Sequence, residues 1–117
     1  MVDSHAVPID VAALASMLGG DKSLVDMILR TFRAEIKADI AALTELSHGN
    51  DPEPIRALAH RLKGTCSNAK AMPMSNAAKS LQAAMAAGDM SAAQQLISDL
   101  EACRNELEPD LSAQGAE

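Results

Sequence analysis

His60, Lys63 and Gly64 stand at i, i+3 and i+4 within the stretch Ala59-His60-Arg61-Leu62-Lys63-Gly64-Thr65-Cys66, a spacing that gathers them on neighbouring turns of a helix surface. A neutral imidazole, with an unperturbed pKa of about 6.5, is a competent nucleophile near pH 7 and needs no activating base. Displayed in water, it can attack a phosphoryl group held by another protein and later give it back. The resulting phosphohistidine is anionic, so an ammonium at i+3 is the residue type to steady it. A glycine in mid-helix costs about 1 kcal/mol relative to alanine. Gly64 therefore calls for a compensating reason, and clearance for a partner's atoms to reach the ring supplies one.

The helix that carries this trio must bury its other side. At about 100° per residue, Ile55, Leu58, Ala59, Leu62, Cys66 and Ala69 fall within one arc of roughly 100°. His60 then lies about 150° from the centre of that arc, pointing outward. Gly64 and Ser67 flank it, and Arg56 and Lys63 stand to the side.

The remaining chain reads as further helices. Ile9-Asp10 opens a short one, with Val11, Leu14, Met17 and Leu18 inward, stopped by Gly19-Gly20. Asp21 caps a long one whose stripe Leu24, Ile28, Phe32, Ile36, Ile40, Leu43 and Leu46 persists to Ser47. Asp51-Pro52-Glu53-Pro54 starts the helix of His60, with its prolines in the first turn, and it is expected to run to about Lys70. Pro73 starts a fourth, with Met74, Ala78, Leu81 and Met85 inward and Gly88 as its stop. Asp89 or Ser91 caps a fifth, with Ala93, Leu96, Ile97, Leu100, Cys103 and Leu107 inward and Pro109 near its end. The pattern predicts an all-α fold over residues 9–108, an antiparallel up-down four-helix bundle with a short additional N-terminal helix. Residues 1–8 are expected to be disordered and residues 109–117 to form a loose tail.

Composition excludes several classes of function. Nearly half of the 117 residues are apolar, yet Phe32 is the single aromatic, a helical composition. No apolar run approaches the length of a membrane span, and the N-terminus lacks the basic and apolar blocks of a secretory signal. Cys66 and Cys103 sit on apolar faces and read as buried thiols of a reducing compartment, so a cytoplasmic protein is expected. The starting Met1 and polar tail suit a free-standing protein. A net charge of −6 argues against nucleic acid. From Pro54 through Gly88 there is no acidic residue, while Arg56, Arg61, Lys63, Lys70 and Lys79 give +5 against −11 for the rest. A basic zone around His60 suits a small anion or an acidic partner surface. The histidines lack metal-ligand spacing, the methionines read as core filler, and no glycine-rich nucleotide loop is present. No bound cofactor or metal is expected.

The segment His60-Arg61-Leu62-Lys63-Gly64-Thr65 resembles the His-x-x-Lys-Gly-Ser/Thr/Ala signature of histidine-containing phosphotransfer (HPt) domains, and the similarity extends over roughly residues 9–108. Those domains are four-helix bundles that shuttle a phosphoryl group between receiver-domain aspartates in phosphorelays, some exchanging it with the receiver of a hybrid histidine kinase. The resemblance implies that His60 is the phosphoacceptor, that Lys63 meets the phosphoryl oxygens and that Gly64 keeps the approach open. Gln82 matches a position where several members place a glutamine that hydrogen-bonds the histidine from the adjacent helix. Ser67 stands as a supporting residue. The sequence departs from the pattern ten residues after the histidine, where the family usually has glycine and Lys70 stands instead, and in the stretch Ala71-Met72-Pro73-Met74. This bears on how the third helix ends, and it adds a cation near the site.

The resulting expectation is a monomeric phosphocarrier, not a kinase, that docks response-regulator receivers through an apolar patch with Ala57 and Ala71, ringed by Arg56, Arg61 and Lys70. The receiver brings the Mg²⁺. Two other readings stand beside it. One is a helical adaptor that binds a receiver or kinase without carrying phosphate. The other is the dimerisation and phosphoacceptor part of a histidine kinase, which closes its bundle only as a dimer.

Overall fold

The computed structural model describes residues 8–113, and the expected disorder of residues 1–7 lies outside them. The described chain is five α-helices, α1 (Val11–Met17), α2 (Lys22–Leu46), α3 (Pro52–Asn68), α4 (Met72–Ala86) and α5 (Ala93–Ala113), with a 3-10 turn at Met90–Ala92 before α5. Three starts are fixed by aspartate caps of the expected kind. Asp10 accepts from the Ala13 N–H at 2.9 Å, Asp21 from Ser23 at 3.0 Å and Leu24 at 3.3 Å, and Asp51 from Glu53 at 3.0 Å. Among the described residues there are no strands, and no helix is long and apolar enough to cross a membrane.

Helices α2 to α5 close a ring. Each packs on its neighbours in sequence, α5 returns to α2, and α3 against α4 is the most extensive interface. The reversals at 47–51, 69–71 and 87–92 are short enough to force antiparallel neighbours. At 1.5 Å per residue the 25-residue α2 is about 37 Å long, which accounts for most of the 44 Å length of the molecule. The core holds Phe32, Ile36 and Leu43 of α2, Ile55, Leu62 and Cys66 of α3, Met74 and Leu81 of α4 and Leu100, Leu107 and Leu111 of α5.

Several expectations are corrected. The apolar stripe of α2 runs at Val25, Leu29, Phe32, Ile36, Ile40 and Leu43, while Leu24 is exposed and Ile28 and Leu46 are only half-buried. A stripe of period 3.6 drifts along seven turns, and α2 faces α1 at one end and α3 and α5 further on. Met17, expected inward, is 54% exposed. The helix expected to end near Pro109 runs on to Ala113, and Leu111 is fully buried. Proline removes one hydrogen bond and crowds the preceding turn, and the burial of Leu111 offsets that cost. Residues 109–113 are thus part of the bundle, and 114–117 lie outside the described residues.

The end of α3 is the other departure. Helix α4 stops in a Schellman motif, with the Gly88 N–H on the Met85 carbonyl at 2.9 Å, the Asp89 N–H on the Ala84 carbonyl at 3.0 Å and Gly88 at φ +76°. Helix α3 stops the same way, with Lys70 bonded to Ser67 at 3.0 Å and Ala71 to Cys66 at 2.9 Å, but here the left-handed residue is Lys70 at φ +65°. A side chain in that conformation costs about 1–2 kcal/mol. The cost is met by the closing contact between Ala71 and Cys66, both fully buried, and by the Lys70 carbonyl, which accepts from the Asp10 N–H at 2.9 Å and ties the start of α1 to the α3–α4 corner. Ala71 therefore belongs to the core and cannot lie in a partner-facing patch.

Candidate functional site

The amphipathic pattern of α3 buries Ile55, Ala59, Leu62 and Cys66 and turns His60 outward. His60 is exposed. Its ring hydrogen-bonds Gln82 of α4, whose Nε2 lies 3.0 Å from the imidazole Nδ1. An amide can satisfy Nδ1 with either end. Its NH₂ donates to a bare Nδ1, which leaves the proton of a neutral ring on Nε2; its carbonyl accepts from an Nδ1–H, which leaves the Nε2 lone pair open. With Nδ1 held, Nε2 is the nitrogen available to a visitor.

One turn on, Lys63 is half-exposed and its ammonium has no hydrogen-bond or ion-pair partner among the described residues. Gly64 lies on the His60 face, and a Cβ built on it would meet nothing within 4 Å. No internal packing requires glycine there. The open space lies on the solvent side, beside the ring. Ser67 is half-buried and no side-chain hydrogen bond joins it to the site.

The surrounding cations are less free than their sequence suggests. Arg56 is clamped by Glu53 in the first turn of α3, with Nε on Oε1 at 3.0 Å and Nη2 on Oε2 at 2.5 Å. That hydrogen bonding holds the Glu53 carboxyl below the usual range and the Arg56 guanidinium above its own. Arg61 reaches across to α2, with Nη2 on Asp39 Oδ1 at 2.8 Å. Lys70 is half-exposed at the α3 corner and Ala57 is exposed, whereas Ala71 is buried.

Two residues that hold the site went unrecognised in the sequence. Ser75 of α4 is buried, and its hydroxyl donates to the Lys63 carbonyl at 3.0 Å, pinning α4 to α3 at the level of the site. Asp39 is buried beneath Arg61. Both were marked by a polar residue interrupting an apolar arc, Asp39 between Ile36 and Leu43 and Ser75 beside Met74 and Ala78. Deeper still, burial pushes the Cys66 thiol up to about 12, with the charge of Asp39 adding to the effect, and burial also raises Cys103. Both shifts leave less thiolate at neutral pH than a free cysteine has, and Cys66, fully buried, is the more inert of the two.

Beyond Arg61 the same side of α3 borders a groove of about 450 Å³ between α1, α2 and α3, lined by Met17, Met27, Ile28, Phe32, Glu35, Thr65, Asn68 and their neighbours. Met17 and Met27 are more than half exposed there.

Against this geometry the sequence comparisons are consistent. The family model of the Hpt domain matches residues 27–110. No curated protein matches the chain significantly. Among solved structures, the crystal structure of histidine-containing phosphotransfer protein B (HptB) from Pseudomonas aeruginosa PAO1 superposes with a TM-score of 0.86 at 23% identity, over 93% of this chain and 95% of that one. At that identity the likeness establishes the shared fold.

Proposed function

This chain belongs to the Hpt domain family, the histidine phosphotransfer domains of phosphorelays, and on that premise we propose that His60 is its phosphoacceptor. The observation that carries the assignment is the exposed imidazole whose Nδ1 is occupied by Gln82 while Nε2 has no hydrogen-bond partner among the described residues. For attack, the amide turns its carbonyl to an Nδ1–H, and the Nε2 lone pair approaches the phosphorus of a receiver's aspartyl phosphate in line. The N–P bond forms as the P–O bond to the aspartate breaks, and the electron pair leaves with the carboxylate. The ring becomes cationic, and its Nδ1–H, now more positively charged, is a stronger donor to the Gln82 carbonyl in the product than in the ground state. Lys63, without an internal partner, pairs with the phosphoryl oxygens, and Gly64 leaves the approach clear. A Mg²⁺ ion, if required, would be held by the receiver and would supply charge neutralisation for the transferred group there.

The docking face we assign is the α1–α2–α3 groove with its exposed methionines, in place of a patch containing Ala71. It begins one turn from Arg61 on the helix of His60, and Met side chains adapt to an apolar partner surface. The ring of α2 to α5 closes within one chain, which supports a monomer and counts against a kinase dimerisation domain. The two free thiols support a cytoplasmic location. Incubation with a receiver domain carrying labelled aspartyl phosphate and Mg²⁺ tests the assignment. The predicted result is an acid-labile, base-stable label on this chain that His60→Gln abolishes. Binding of the receiver without transfer would leave the adaptor reading standing and sink this one.

A further inference from the structure

Asp39 is the one buried carboxylate among the described residues, its side chain only 6% exposed, and it lies on α2 opposite the helix of His60. Its Oδ1 accepts from Arg61 Nη2 at 2.8 Å, while Oδ2 is buried with no hydrogen-bond partner among the described residues. Burying a carboxylate behind a single charge-assisted hydrogen bond is expensive, and the cation it holds is 64% exposed. The pair thus sinks one charge and leaves most of the other in solvent, within reach of a partner.

The position of the pair gives it another use. Arg61, Thr65 and Asn68 form one ridge of α3 at i, i+4 and i+7, and Thr65 and Asn68 line the groove. Glu35, which lines the groove from α2, is one turn before Asp39. Asp39 and Arg61 therefore extend both walls of the groove by one turn, at the end nearest His60. We propose that Asp39 is a positioning residue for phosphotransfer: its buried carboxylate fixes the Arg61 guanidinium between His60 and the groove, where the free N–H edge pairs with a carboxylate on the docking receiver. The inference rests on the phosphocarrier reading and adds to it the group that orients the partner. Anchoring one arm of a long side chain removes rotamer freedom before the partner arrives, which favours association.

The test measures transfer from a receiver domain charged with acetyl phosphate, as KM and limiting rate at low and high salt, for wild type, Asp39→Asn, Arg61→Gln and the double variant, with thermal melts alongside. Both single variants raise KM about fivefold with the limiting rate kept and the salt dependence flattened. The double variant keeps a neutral amide-to-amide hydrogen bond, so its melting temperature recovers relative to the single variants while its KM does not. Recovery of KM together with stability, or a wild-type KM and salt dependence in Arg61→Gln, would make the pair a helix tie alone and overturn the inference. Should Asp39→Asn fail to fold, Arg61→Gln and the double variant decide the question. A wild-type chain that takes no phosphoryl group overturns the phosphocarrier reading and this inference with it; wild-type transfer with unaffected variants overturns this inference alone.

Discussion

Replacing Gly64 by alanine should make this protein more stable and worse at its task. Gly64 lies in the interior of α3, where glycine is about 1 kcal/mol less favourable than alanine. The added Cβ would meet no atom within 4 Å, so no clash subtracts from that gain. For a domain of this size, about 1 kcal/mol raises the melting temperature by roughly 4 °C. The same methyl stands at i+4 from His60, on the side from which a phosphoryl donor must come. In-line transfer needs reacting atoms about 3–3.5 Å apart, and a 1 Å displacement can cost roughly 100-fold in rate. Thermal melts paired with rapid-quench transfer from a phosphorylated receiver should therefore show a higher melting temperature and transfer slowed by about 10- to 100-fold. A less stable variant would mean that Gly64 serves the fold. Wild-type transfer in a stabilised variant would refute the clearance argument.

Other substitutions probe the parts around it. Lys70→Gly relieves a left-handed side chain and, after the added freedom of the unfolded chain, should stabilise the fold by about 1 kcal/mol, read from denaturant unfolding. A destabilised variant would show that the Lys70 side chain contributes contacts that outweigh its backbone strain. Gln82→Leu removes the Nδ1 partner and should slow phosphorylation about tenfold at little cost in stability, because Gln82 is half-exposed; unchanged kinetics would reduce Gln82 to a surface residue. The Cys66 thiol, pushed up to about 12 by burial, carries about one thiolate in 10⁴ at pH 8. A disulfide reagent should modify it only as fast as the protein unfolds, and later than Cys103. The raised folded-state value also sets the sign of the pH effect: this contribution to stability is complete below about pH 9 and declines as the pH rises from there toward 12.

Much of the fold was legible because helix boundaries here are written in local chemistry. The aspartate caps at 10, 21 and 51 and the glycine stop at 88 act within one turn of chain, so the sequence exposes them directly. His60 was legible for the same reason, since its outward direction follows from the arc that α3 buries. What escaped depends on neighbours distant in sequence. The true stripe of α2 through Val25 and Leu29 is set by three other helices, and a periodicity count cannot choose between adjacent arcs. Ala71 resembles any loop alanine until the Schellman turn folds it onto Cys66. The passage of α5 through Pro109 depends on the pocket that receives Leu111. Asp39 was marked by its place in an apolar arc, but its partner 22 residues away was not.

The central claim is most directly tested at the imidazole itself. Nitrogen-detected imidazole spectra of ¹⁵N-labelled protein, recorded before and after charging by a phosphorylated receiver, report which histidine and which ring nitrogen bears the phosphoryl group. The account predicts that the Nε2 resonance of His60 moves while those of His5 and His48 stay put. Phosphorylation at Nδ1, on another histidine, or on no histidine at all would contradict it.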